Sequence, residues 1–136
     1  MITAYWCVLV AGILPLACTY LAKFGPDRSA EPPERFDNRE PRAWLARQTG
    51  LRGRANAAQA NSFEAFPFFA IGVVIAVAQH VPVATIDLLA VVFIIARLLY
   101  IACYVGDQAR LRSFVWVVGF LASAGLYFYA ATGTLR

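Results

Sequence analysis

The chain has 136 residues, enough for one domain, and 60% of them are hydrophobic, above the roughly 45–50% of ordinary soluble domains. An ordinary soluble enzyme is excluded, and an integral membrane protein is the expectation. The net charge of +4 does not mark a nucleic-acid surface, because Asp27, Glu31, Glu34, Asp37 and Glu40 alternate with the arginines around them.

Four windows reach the roughly 20 mostly apolar residues that cross a bilayer. The first is 2–24. It has no basic residue ahead of its apolar run and no small-x-small cleavage site, so it reads as a retained helix rather than a secretory signal. Pro15 within it is compatible with a bundle, where neighbouring helices re-satisfy a freed carbonyl.

A polar loop, 25–54, follows. Gly25-Pro26 ends the first helix, Pro32-Pro33 and Pro41 forbid a long helix, and Gly50 and Gly53 punctuate the approach to the second span. Within it "PRAWLARQ" predicts either a short helical turn with Trp44 and Leu45 dipped into the headgroup region or an ordered surface loop.

The second span, 55–79, combines an apolar second half with polar residues in its first half. At ~100° per residue, Arg54, Asn61 and Glu64 fall within about 80° of one another and form one stripe. Asn56 and Gln59 lie on an adjoining face with Phe63. Beyond "QHVPV" comes the third span, 83–105, where Arg97, Tyr100 and Tyr104 follow the spacing i, i+3, i+7 and share a face. An arginine in mid-span costs at least about 2.5–3.5 kcal/mol on insertion scales, so Arg97 needs a partner, and Glu64 is the expected one. Such a pair can do nothing more than fix helix register. The convergence of several donors, acceptors and two phenols near Arg110 and Arg112 argues for a ligand site instead.

The fourth span is 113–132. Short connections on either side of the third span predict an all-α, up-down four-helix bundle in the membrane. Lys23, Arg28, Arg35, Arg39, Arg42, Arg47, Arg52 and Arg54 lie in or beside the first loop, and Arg110 and Arg112 lie in the third. Loops one and three are therefore expected on the cytoplasmic side and both termini opposite, with Arg136 a lone dissenting charge. The pairs Gly72/Ala76 and Gly119/Ser123 offer close helix packing within or between chains.

Cys7, Cys18 and Cys103 show no ligand spacing and are expected as small buried side chains. No metal site is expected. His80 reads as an interfacial residue. Asp87 is expected to complement the positive end of its own helix.

The segments "RANAAQANSFEAFPFF" and "ARLLYIACYVGDQARLRS" resemble the MAPEG family of membrane-associated proteins in eicosanoid and glutathione metabolism, in the pattern of its small bacterial members. The resemblance spans all four windows and is most specific in Asn61-x-x-Glu64-x-x-Pro67 and Arg97-x-x-Tyr100-x-x-x-Tyr104. It implies a homotrimer in a bacterial inner membrane that holds glutathione as co-substrate between subunits near the cytoplasmic face. Asn61, Glu64, Gln59, Arg97, Tyr100 and Tyr104 match the family's glutathione-binding positions. Arg112 is similar to its thiolate-stabilising arginine, with Arg110 a rival and Tyr104 beside them. The family's arginine just before the helix-two Asn is replaced by Ala57-Ala58, so that either Arg54, two turns earlier, reaches the same carboxylate or the clamp is weaker. The implied activity is a glutathione-dependent transferase or peroxidase acting on a lipophilic electrophile or lipid hydroperoxide, without metal. The alternative is a non-catalytic relative that binds or presents a lipid. A transporter or channel fits less well, because the polar residues gather at one end.

Overall fold

The computed structural model describes residues 3–26 and 35–133. Arg28, Pro32-Pro33, Arg136 and the acidic residues Asp27, Glu31 and Glu34, which enter the charge and loop readings, lie outside the described residues.

Apolar sequence long enough to span a bilayer folds here as four long helices, because only a helix satisfies its own backbone in hydrocarbon. They are α1 (Thr3–Phe24), α3 (Gly50–Ala78), α4 (Val83–Val105) and α5 (Ala109–Gly133), with a short α2 (Pro41–Arg47) in the first loop. Each long helix is apolar enough to cross a membrane. The protein is an integral membrane protein with four transmembrane helices in an all-α bundle.

The turns after α3 and α4 are built alike. Val81 N–H donates to the Ala76 carbonyl and His80 N–H to Val77. Likewise Gln108 N–H donates to Cys103 and Asp107 N–H to Tyr104. Each is a Schellman ending, which puts one residue in the left-handed region; those residues are His80 (φ 57°) and Asp107 (φ 59°). The tight turns return the chain antiparallel, so the ends of α1 and α4 and the starts of α3 and α5 meet at one end, with most of the basic residues.

α1 packs on α3 and α4, and α5 on α4 and α3. Phe69 and Phe93 stack at the centre with ring centroids 3.9 Å apart. Around them Val73, Ile86 and Leu126 are fully enclosed, and buried alanines let the helices close up. The small residues in α3 and α5 serve packing within the chain. A Cβ on Gly72 would lie 2.9 Å from the Tyr127 ring, and one on Gly119 would lie 3.4 Å from the Ala96 Cβ. Leu16, Leu88, Leu121 and Phe128 point outward and are exposed, as suits helices solvated by acyl chains.

Three expectations change. Trp44 does not dip outward: α2 forms, but its Trp44 is wholly buried, edge-on to Phe36 and beneath the Arg52 guanidinium. Arg52 also donates to the Gly25 carbonyl at 3.0 Å, which ties the end of α1 to α3. Asp87 complements a different helix from its own, accepting the Ala4 N–H of α1 at 2.8 Å. α3 starts at Gly50, ahead of the apolar window, so the helix takes in Arg52 as well as Arg54, which the polar stripe already places on it. The three cysteines are buried and free.

Candidate functional site

The polar residues of α3 and α4 meet across their shared interface. Arg97 is 4% exposed and directs one nitrogen, Nη2, to the Asn61 side-chain oxygen and the Ser62 hydroxyl, each at 3.1 Å. Ser62 in turn donates to the Ala58 carbonyl at 2.7 Å. Asn61 offers its amide to Glu64 Oε2 at 3.5 Å. The expected direct pairing of Glu64 with Arg97 is therefore replaced by a relay through Asn61. Glu64 itself is exposed on the surface of the single chain.

From Arg97 a second series of contacts leads toward the basic end. Its guanidinium lies 4.3 Å from the Tyr100 ring centroid. Tyr100 meets Tyr104 edge-on at 5.4 Å, and Arg112 of α5 covers the Tyr104 ring at 4.1 Å. Cations over aromatic faces are held by the ring quadrupole. Neither phenol hydroxyl has a hydrogen-bond partner among the described residues; Tyr100 is buried and Tyr104 half-buried.

The other candidates are placed as follows. Arg54 donates through Nε to the Val105 carbonyl at 3.3 Å, where a cation complements the end of the α4 dipole. Arg110 is exposed, whereas Arg112, half-buried, is the one beside Tyr104. Gln59 and Asn56 are half-buried on the neighbouring face of α3 and do not join the Arg97 network. The first turn of α5 contains no acidic residue, so its free N–H groups and two arginines form a positive rim.

Next to the network is a cavity of about 210 Å³ between α3, α4 and α5. Asn61, Glu64 and Arg97 border it on one side, and Phe68, Phe93 and Phe120 supply apolar walls. Among the described residues no group of His, Cys, Asp and Glu is arranged to hold a metal ion.

Two contributors are missing from the sequence reading. Ser62 was hidden because a serine in a helix ordinarily bonds back to the preceding turn; its position next to Asn61 was the available signal. Ser123 lines the cavity and entered only as a small packing residue.

A membrane bundle with a buried arginine held by α3 and a phenol–arginine ladder at its basic end defines a class of four-helix membrane proteins with an intramembrane polar cluster. The chain belongs to the MAPEG family, whose profile matches residues 3–132. No curated protein and no solved structure matches it significantly.

Proposed function

We propose that the protein is a glutathione-dependent transferase or peroxidase that activates the glutathione thiol against lipophilic electrophiles or lipid hydroperoxides. The observation that carries this reading is the unbroken series Asn61, Arg97, Tyr100, Tyr104, Arg112, which links amide and carboxylate groups to a cation beside a phenol. Glutathione has the complementary parts. Its carboxylates suit guanidinium forks, its ammonium suits exposed Glu64, and its peptide groups suit Asn61 and Gln59. Its thiol then falls to the Tyr104 and Arg112 end.

Free thiols ionise near pH 8.5, and a neighbouring guanidinium lowers that value. Arg112 supplies the charge, the start of α5 adds the positive end of its dipole, and Tyr104 O–H can donate to the sulfur. In conjugation the thiolate sulfur attacks the electrophilic carbon and the leaving group departs with the bonding pair. In peroxide reduction the thiolate attacks the distal oxygen, the O–O bond breaks, and an alcohol and a sulfenic acid result; a second glutathione converts the latter to disulfide and water.

The half-buried polar face of Asn56 and Gln59, next to exposed Phe63, suits contact with neighbouring subunits of a homotrimer. The basic end then faces the cytoplasm, the source of glutathione, in a bacterial-type inner membrane. The second reading, a silent lipid-binding relative, is favoured by one observation: Arg54, the candidate substitute for the arginine replaced by Ala57-Ala58, already bonds Val105.

Titration calorimetry of the detergent-purified protein with glutathione discriminates the two. Saturable binding in wild type, weakened about tenfold or more in Asn61→Ala by loss of charge-assisted hydrogen bonding, is expected. No heat in wild type would overturn the transferase reading and leave lipid binding.

A further inference from the structure

The connection from α3 to α4 lies at the end of the bundle opposite the basic residues and has no part in the glutathione reading. Two hollows adjoin it. The larger, about 390 Å³, is bordered by Gln79, His80, Thr85, Tyr129 and Thr132, and so lies between this connection and the end of α5. Its size falls within the ~300–1,000 Å³ of small-molecule pockets. The second, about 310 Å³, is bordered by Val77, Val83 and Ile86. His80, Val81 and Pro82 border both, so a polar hollow and an apolar one meet across a single turn between two membrane spans.

The polar hollow is furnished with accessible side chains. His80 and Gln79 are exposed, Tyr129 is 47% exposed, and Thr85 is half-buried. None of these four side chains has a hydrogen-bond partner among the described residues. Thr132 gives its proton to the Phe128 carbonyl at 2.9 Å and keeps its acceptor capacity.

The chemistry of these groups selects among headgroups. A carboxamide, a neutral imidazole and a hydroxyl each both donate and accept. So does an alcohol, and a headgroup with several hydroxyls can use both capacities of each partner. Phosphates and carboxylates only accept and are met best by guanidinium forks. Among the described residues no Lys, Arg, Asp or Glu borders either hollow, so an anionic headgroup finds no countercharge and an ammonium headgroup finds no carboxylate. Asp87 borders neither hollow and accepts the Ala4 N–H. Tyr129 adds an apolar ring beside its hydroxyl. One rival comes from the start of α4, where Pro82 is the N-cap and no side chain caps the helix; open N–H groups there favour an anion.

We propose that the α3–α4 connection binds a lipid with an uncharged polyhydroxyl headgroup, a glycolipid. The sugar occupies the hollow of Gln79, His80, Thr85 and Tyr129, and the chain follows the apolar hollow of Val77, Val83 and Ile86. This lipid is a resident of the far end of the bundle and not the acceptor of the thiol, so its binding is independent of the transferase reading.

The test uses the full chain purified in lauryldimethylamine oxide, a detergent without a sugar. Dioleoyl monoglucosyldiacylglycerol, dioleoylglycerol and dioleoyl phosphatidylglycerol are titrated separately, and bound lipid is counted by native mass spectrometry. The glucolipid is expected to bind about tenfold or more tightly than either of the others. His80→Gly and Tyr129→Phe are each expected to weaken it about fivefold, the ratio one neutral hydrogen bond confers, with dioleoylglycerol unaffected. Glycine suits the left-handed backbone of position 80 (φ 57°), and Tyr129→Phe removes only an exposed hydroxyl; unchanged elution profiles, with thermal midpoints no lower than wild type, verify both folds. Equal binding of glucolipid and dioleoylglycerol would overturn the proposal. So would phosphatidylglycerol binding as tightly as the glucolipid, which would assign the hollow to an anion, or a glucolipid preference that survives in both variants. Failure of glutathione to bind in calorimetry affects only the transferase reading.

Discussion

At the scale of single residues, Arg97 organises the buried polar network, and its acceptors are shared. Asn61 and Ser62 both receive Nη2, so removing either leaves the other in place. Asn61→Ala or Ser62→Ala is expected to lower stability by about 1 kcal/mol. The double variant, leaving a buried cation short of acceptors, is expected to lose about 3 kcal/mol or more. Thermal unfolding in detergent reads the difference, and strict additivity would contradict the shared-acceptor account. Asn61, Glu64 and Arg97 were legible in the sequence because polar residues in an apolar span are conspicuous. Their pairing was not. Opposite charge identifies groups that need partners, but the register of α3 on α4 puts Asn61 and Ser62, rather than Glu64, against the guanidinium. Trp44 shows the same limit: the interfacial preference of tryptophan is a rule for lipid contact, and here Phe36 and Arg52 enclose the ring first.

At the scale of elements, small residues and turn geometry set how the helices meet. Gly72 lets α3 approach α5 so closely that a Cβ would meet the Tyr127 ring at 2.9 Å, and Tyr127 bonds the Phe68 carbonyl at 2.7 Å. Gly72→Val should therefore force the two helices apart and cost about 1–3 kcal/mol, seen as a lower unfolding midpoint. The end of α3 offers the converse. His80 occupies a left-handed position that penalises a side chain by roughly 1–2 kcal/mol, so His80→Gly is expected to stabilise by about 0.5–1 kcal/mol after the entropy of the unfolded chain is counted. A destabilised His80→Gly would instead reveal a role for the imidazole. The number of long helices and their short connections could be read from hydropathy and turn residues. The partner of Asp87 could not, because its bond to Ala4 joins the first helix to the third in the membrane, a contact local sequence does not encode.

At the scale of the whole molecule, the alternating direction of four spans collects the basic helix ends at one side, and the intramembrane ladder begins there. Charge placement along the chain made that asymmetry visible in advance. The cavity beneath it arises from the gap between helices α3 and α5 and was invisible to one-dimensional reading, which saw Ser123 only as a small residue in a packing pair. The central claim is that the ladder ends in a cation that ionises a bound thiol. Its most direct test is the ultraviolet difference spectrum of glutathione bound to purified protein at neutral pH, for wild type and Arg112→Ala, at saturating glutathione. The account predicts a thiolate band in wild type that falls about tenfold or more in Arg112→Ala while binding persists. A band of equal strength in both, or bound glutathione without any thiolate band in wild type, would contradict it.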